Sequence, residues 1–304
     1  MRTVAIILIN YNSSYYTINC LKSIWSKTSA SLDYEIIVVD NNSKSDSLDL
    51  IETFVNNEKR ENLKLIKSKI NTGFGGGNMI GAQAANAEYF AFINNDSILK
   101  NDCISILHSA MEKNKNYGVC GPKAYKEDGS ILPTLDHYTS ISKEFLGRTF
   151  LEKINPKKYP NRKKEFISHQ QGQFVSGSFM MLRSNDFWKV GGFDTNIFLY
   201  HEETDLCKRI NKLNKYSFLI PEAEFIHFHG ASTPKSMAIK TELKLSQLYV
   251  IQKHNGYWKF KILLIYFQIR YFISSIFKPK YWSLFFVLFK GARLTDSLKQ
   301  KQYL

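Results

Sequence analysis

Cysteine is scarce and scattered. The 304 residues hold four, Cys20, Cys103, Cys120 and Cys207, with no CxxC among them, so neither a zinc knuckle nor a redox dithiol is indicated. That usage suits a reducing compartment. Acids are also short, 27 Asp and Glu against 41 Lys and Arg, and the net charge of +14 favours polyanions, phosphorylated substrates or an anionic membrane face. A Gly-Lys-Ser/Thr sequence is missing, which excludes a P-loop. No uninterrupted apolar run reaches the length that spans a bilayer. The opening VAIILI stops at Asn10-Tyr11-Asn12, too short for a signal-peptide core and without a small-residue cleavage site, and reads as a first strand.

What is present is alternation. Thr3–Ile9 reads as a buried strand ending in Asn10-Tyr11-Asn12-Ser13, with a helix through Leu21 and Trp25 after it. Tyr34–Val39 repeats the pattern, with Asp40-Asn41-Asn42-Ser43 as its polar edge and helical spacing over Leu48–Val55. Leu63–Ile66 leads into Asn71-Thr72-Gly73-Phe74-Gly75-Gly76-Gly77-Asn78 and a helix through Ala82, Ala84 and Ala85. Tyr89–Asp96, YFAFINND, is the fourth strand and the one around which the rest is organised. Such repeats predict an α/β fold with a parallel sheet and right-handed crossovers.

In an open α/β sheet, ligands bind beyond the carboxyl ends of the strands. Four of those ends carry groups suited to one crevice: Asn10 and Asn12, Asp40, the glycine loop, and Asn95 with Asp96. The Asp96 carboxylate can hold a hard divalent cation if phosphate oxygens and water complete the shell; alternatively Asn94-Asn95-Asp96 makes a turn and caps a helix starting near Asp102. Gly73-x-Gly75 begins a dinucleotide fingerprint, but its sixth position is Asn78 and it follows the third strand, so it fails as one. It remains suited to close backbone approach to a substrate, or to a tight turn.

Beyond Pro122 the alternation fades. Lys123–Gln171 mixes turn residues and aromatics with the basic residues Lys157, Lys158, Arg162, Lys163 and Lys164, read as solvated loop or an anion site. Gln173–Arg183 reads as one strand. In Phe198-Leu199-Tyr200-His201-Glu202-Glu203-Thr204-Asp205 three acids open a helix whose dipole favours anions; one suffices as a cap, which leaves a second as a general base. His227 and His229 alternate onto one side of a strand, as a metal ligand or as structural residues. From Tyr257 to Phe289 aromatics and aliphatics are interrupted by Lys259, Lys261, Arg270, Lys278 and Lys280, with Pro279 between two helical stretches. That pattern fits amphipathic helices at a membrane interface, or a hairpin packed on the main domain or on a second subunit.

The ordered set ILINYN, VVDNNS, NTGFGGGN, FINND, FVSGSFMMLR, VGGFD, FLYHEETDLCKR and IHFHGAS resembles the family 2 inverting glycosyltransferases of the GT-A fold, most closely the bacterial rhamnosyltransferase-like members. The resemblance covers roughly residues 3–232. It implies a GT-A domain over 1–232, with a mostly parallel central sheet flanked by helices, a nucleotide-sugar half (1–122) and an acceptor half (123–232). Residues 233–304 follow as a helical, membrane-associating segment. By resemblance, Asp40 hydrogen-bonds the pyrimidine base beside Asn10 and Asn12; Asn71, Gly73, Gly77, Asn78 and Asn95 line the donor; and Asp96, with His227, holds Mg2+ or Mn2+. The first Asp of the family's DxD is absent here, and Met79 stands where a second Asn is common. Glu203 occupies the position of the base, usually Asp, with Glu202 beside it.

The implied donor is a nucleoside-diphosphate sugar, dTDP-rhamnose favoured and a UDP-sugar possible, and the implied acceptor is a hydroxyl of a lipid-linked glycan in bacterial cell-surface polysaccharide synthesis. The expected location is cytoplasmic, on the inner face of the cell membrane against anionic lipid, with homodimerisation through the C-terminal helices as a further option and no nucleic-acid partner. Two rivals are a nucleotidyltransferase, which would usually show a glycine-rich basic loop after its first strand, and a membrane-bound nucleotide- or carbohydrate-binding module without turnover.

Overall fold

Val4–Leu8 have no exposed surface, and they alternate between two cores. Val4, Ile6 and Leu8 face one layer and Ala5 and Ile7 the other, as expected for a strand covered on both sides by helices. The computed structural model describes residues 1–228 and 236–302. Strand and helix alternate as β1 (Arg2–Asn10), α1 (Ser14–Lys27), β2 (Tyr34–Asp40), α2 (Ser45–Glu58), β3 (Leu63–Lys67), α3 (Gly73–Ala84) and β4 (Ala87–Asn94). The strands β3-β2-β1-β4 are mutually parallel. Their register aligns Asn10 with Asp40 and Ile9 with Asn94, so these polar groups share one sheet edge.

The second half continues the same sheet. A short β5 (Ser97–Leu99) precedes α4 (Cys103–Lys113), β6 (Tyr117–Tyr125), β7 (Ile131–Leu132), β8 (Leu135–Asp136), α5 (Ile141–Leu146) and α6 (Arg148–Ile154). Then come β9 (Gln170–Gly172), β10 (Phe174–Val175), β11 (Phe179–Arg183), α7 (Ser184–Lys189), α8 (Glu202–Asn211) and β12 (Tyr216–His227). Among the described residues the sheet runs β3-β2-β1-β4-β11-β6-β12-β5, with β7 on β6 and β9 on β12. β11 is antiparallel to both neighbours. β6 runs through residue 122, so both halves share one sheet.

Several local expectations change. The span Gln173–Arg183 is two strands, because Ser176 N turns aside to the Thr134 carbonyl while Asn94 N binds the Ser178 carbonyl. The glycine segment is already helical from Gly73; tertiary contact overrides the poor helix propensity of glycine. Asp102, not Asp96, caps α4, accepting from Ser105 N at 3.1 Å. Within Lys123–Gln171, Asp136 gathers Lys143, Arg148 and Arg162 at 3.0–3.3 Å, so Arg162 of the basic run is half-buried in an ion-pair cluster. His229, with the Gly230–Ser232 end of its motif, lies outside the described residues.

The chain ends in α9 (Met237–Asn255), α10 (Tyr257–Phe277) and α11 (Trp282–Phe289). These share a third core, in which Leu248 and Ile251 meet Phe260, Leu263, Phe267, Leu284 and Leu288. α9 is pinned to α8 through Asp205, a fully buried carboxylate. It accepts from His254 at 2.7 Å, from Lys253 at 2.8 Å and from Arg209 at 2.6 and 2.9 Å. Burial would raise the Asp205 pKa, but the bonds from His254, Arg209 and Lys253 outweigh it and hold the carboxyl far below its usual range. α10 is 21 residues long with a mean hydropathy of 1.4 in its most apolar stretch. By length and composition it is long enough to cross a membrane, despite Lys259, Lys261 and Arg270.

Candidate active site

Asn10 ends β1 fully buried, and its amide donates to Asp40 Oδ1 at 2.7 Å, with Ser14 and Ser43 hydroxyls at 3.1 and 3.2 Å. Its own oxygen accepts from Thr17 Oγ1 at 2.8 Å. Asn10 therefore acts on the crevice through Asp40, whose second oxygen accepts from Ser43 N at 3.0 Å. Asn12, left-handed at φ 53, clamps the neighbouring edge by accepting from Lys44 N at 2.7 Å. The two strand ends are thus tied into one rigid rim.

A residue beyond the expected site organises the next part. Buried Asn41 donates to Asn71 Oδ1 at 3.0 Å and to the Gly73 carbonyl at 3.1 Å, and accepts from Thr72 N and Oγ1 at 3.0 and 2.9 Å. Asn71 in turn accepts from Gly73 N at 2.9 Å. Gly73 adopts φ +76, and a methyl there would collide with the Phe198 carbonyl; Phe74 N donates to that same carbonyl at 3.0 Å. A Cβ on Gly77 would meet Ile9 at 3.0 Å, and one on Gly75 would meet Phe193 and Glu202. These glycines let α3 sit against β1 and the 193–202 segment. Asn78, buried, donates to the Phe74 carbonyl at 3.0 Å.

At the end of β4, Asn95 donates to Ser13 Oγ at 2.6 Å and to Thr17 Oγ1 at 2.8 Å, which fixes the turn against α1. The chain then reverses into β5, which pairs antiparallel with β12 and sets Ser97 opposite His227. This brings Asp96 Oδ1 to 3.1 Å from His227 Nε2, both side chains buried. Asn94 Nδ2 lies 3.4 Å from the same ring nitrogen. Two neighbouring ligands of an octahedral cation, each at about 2.1 Å, stand about 3 Å apart, so the pair fits one divalent ion. Among the described residues no group of three His, Cys, Asp or Glu side chains surrounds a metal position. The remaining ligands must come from elsewhere, as substrate phosphate and water can supply.

The acids of α8 stand across the Ser176–Ser178 turn. Asn94 N binds Ser178, and the next residue back, Gly177, has Glu203 Cβ 3.6 Å from where its own Cβ would be. Tyr200 and His201, both left-handed at φ 69, aim the helix start; non-glycine residues there carry strain of about 1–3 kcal/mol each. Ser246 of α9 holds the turn by donating to the Leu199 carbonyl at 2.9 Å. Burial pushes the Glu203 carboxyl up to about 7, with Asp136 adding to the rise. Glu202, deeper, is pushed well above the ordinary carboxylate range by burial and by Glu203, and its Oε2 is buried without a hydrogen bond. The helix dipole, worth about 0.3–1 kcal/mol for an anion, does not offset that burial. Of the two, Glu202 is the more strongly disfavoured as an anion.

A parallel-led sheet with this double-sided carboxylate arrangement at its edge is the GT-A architecture. Residues 5–191 match the family described as Glycosyl transferase family 2, and the chain belongs to that family. It is 28% identical over 162 residues to the N-acetylglucosaminyl-diphospho-decaprenol L-rhamnosyltransferase of Mycobacterium tuberculosis, covering 51% of this chain and 52% of that enzyme. Rhamnosyltransferase WbbL of Escherichia coli is 28% identical over 195 residues, 60% of this chain and 71% of its own. The chain thus spans about half the length of the mycobacterial relative. The crystal structure of GalNAc-T7 with UDP, GalNAc and Mn2+ superposes with a TM-score of 0.61 over 83% of this chain and 48% of that one, at 13% identity. That likeness is one of fold.

Proposed function

We propose that this chain is an inverting glycosyltransferase that moves a sugar, rhamnose first among the candidates, from a nucleoside-diphosphate donor to an acceptor hydroxyl. The observation that carries the proposal is that the Ser176–Ser178 turn bonds Asn94, at the end of the strand that leads to the Asp96–His227 pair, while Glu203 packs against Gly177 of the same turn; the pair is suited to a diphosphate and the glutamate to a proton. The rim of Asp40, held by Asn10 and Ser43, offers carboxylate acceptors to a base N–H. Asp96 and His227 would hold Mg2+ or Mn2+, which when bound supplies positive charge opposite the leaving diphosphate. Glu203 takes the proton from the attacking hydroxyl, a contribution of about 10²–10⁴-fold. Burial and the neighbouring Glu203 push Glu202 well above the ordinary carboxylate range, which makes it the poorer base of the two, and with Glu203 as base and no second nucleophile assigned the reading is a single displacement with inversion.

The two rhamnosyltransferases support rhamnose, and the decaprenol in the mycobacterial enzyme's name supports a lipid-linked glycan as the acceptor. The test is incubation with dTDP-rhamnose and a panel of UDP-sugars, Mn2+ or Mg2+, and a bacterial lipid extract. Release of dTDP with a rhamnosylated lipid product is expected. Failure to release nucleoside diphosphate from every donor overturns the proposal, and release from a UDP-sugar alone replaces rhamnose as the sugar.

A further inference from the structure

Exposed apolar side chains gather on one side of the molecule. On α10, Trp258, Ile262, Ile265, Ile269, Phe272 and Ile276 recur every three or four residues and are 45–77% exposed. The opposite face of the same helix fills the third core with Phe260, Leu263, Leu264, Phe267 and Tyr271. The helix therefore carries large apolar side chains on its outer side as well as its core side, interrupted by Lys259, Lys261 and Arg270, which is unusual for a helix at a protein–water boundary. Trp282 packs on Phe272 at 5.9 Å and on Phe286 at 5.7 Å, carrying the stripe onto α11, where Phe286 and Phe289 are also exposed.

A second element joins it from far away in the chain. Phe145, Leu146, Phe150 and Ile154 of α5 and α6 are each about half exposed, and the Phe145 ring lies 4.5 Å from that of Tyr266 on α10. The charges at the margin are of one sign. Between Tyr257 and Arg293 there are seven Lys and Arg residues and no acid; between Arg148 and Lys164 there are again seven, of which Arg148 and Arg162 pair with Asp136, and one acid, Glu152. Glu152 is already engaged, 3.2 Å from His137.

We infer that α5–α6 and α10–α11 form one continuous surface that seats the protein in the headgroup layer of an anionic bilayer. Apolar stripes of this kind enter the acyl boundary while Lys and Arg stems reach back to lipid phosphates, and Trp, Tyr and Phe are at home at that depth. A second copy of the chain on the same face would set two cationic margins against each other, a juxtaposition that interfaces avoid. α10 lies in the plane of the membrane rather than across it, because its inner face is already committed to α9 and α11, with Gln268 donating to the Leu288 carbonyl at 2.9 Å. The surface stands without the transfer reading.

The full-length protein, without donor, is sedimented with phosphatidylcholine vesicles and with vesicles containing phosphatidylglycerol across a salt series. Binding to the anionic vesicles alone at low salt, weakening as salt rises, is expected. The decisive variants are on α6: Phe150→Ser with Ile154→Ser should weaken vesicle binding about tenfold or more, while Leu50→Ser, an exposed control on α2, leaves it unchanged. Both sets are checked for unaltered circular dichroism. Ile265→Ser with Ile269→Ser on α10 gives a second reading of the same surface. Absence of binding at low salt, binding insensitive to the α6 pair, or a solution dimer that either pair disperses would each overturn the inference. Vesicle binding by a protein that releases nucleoside diphosphate from no donor would keep the surface and reject only the transfer reading.

Discussion

Asp96 Oδ1 and His227 Nε2 lie 3.1 Å apart although 131 residues separate them. The link is β5, three residues long, which folds back from the end of β4 to pair with β12. If the pair holds a cation, Asp96→Ala and His227→Ala should each weaken Mn2+ binding in the presence of nucleoside diphosphate by about tenfold or more, as loss of ligand-shell residues does. Mn2+ paramagnetic resonance reads this without turnover. Metal binding equal to wild type in both variants would leave the pair a structural contact.

The Asn10–Asp40 bond predicts a different pattern. Asp40→Ala should raise the nucleotide dissociation constant while kcat at saturating donor changes little, because the base is remote from the bond that breaks. Asn10→Ala should do the same more weakly and also lower stability by about 1–3 kcal/mol, since it strips buried partners from Thr17 and Asp40. Urea titration and calorimetric nucleotide binding separate the two effects. A fall in kcat with affinity intact would move Asp40 out of the nucleotide rim.

The alternation of buried strands and polar edges is readable because parallel strands covered on both faces leave unbroken apolar runs, as in Val4–Leu8. The residue types at the strand ends were readable for the same reason. Partnership was not. Nothing in the local pattern tells that Asn41, one of several turn-forming residues after β2, would organise Asn71 to Gly73. Nor does it show that Asp205, third acid of its cluster, would be claimed by His254, 49 residues later. β5 is too short to show a period, and the helical glycines of α3 follow contacts with Phe198, Phe193 and Ile9 rather than propensity. Each miss is a long-range contact overriding a local rule.

Gly73 offers a test of that override. Its φ of +76 and the Phe198 carbonyl directly over it leave no room for a methyl, so Gly73→Ala should destabilise the fold by about 2 kcal/mol or more. Because Phe198 leads directly into the strained Tyr200–His201 turn, the displacement also reaches Glu203. Thermal melts should show the loss. Unchanged melting of the Gly73→Ala variant would mean that the segment relaxes freely and that the glycine serves another purpose.

The two acids of α8 make opposite predictions, and pH distinguishes them. Burial raises Glu203 from the ordinary carboxylate value of 4.5 to about 7, so the folded protein holds a proton there that the unfolded chain has already released. This contribution to stability is fully present below about pH 4.5 and is lost as pH rises through about 7. Glu203→Gln cannot ionise, so its melting temperature should match wild type near pH 4.5 and exceed it above pH 7, by about 1.5 °C for each kcal/mol regained. The same substitution should leave donor affinity intact and remove about 10²–10⁴-fold of turnover, while wild-type kcat/KM should rise with pH along a limb centred near 7. Glu202, pushed above the ordinary carboxylate range by burial and by Glu203, should tolerate Glu202→Gln with a milder loss of turnover. A larger loss of turnover at Glu202 than at Glu203 would exchange their roles. Small, equal losses at both, with no limb near pH 7, would leave the acids as the cap of α8 and put the base elsewhere.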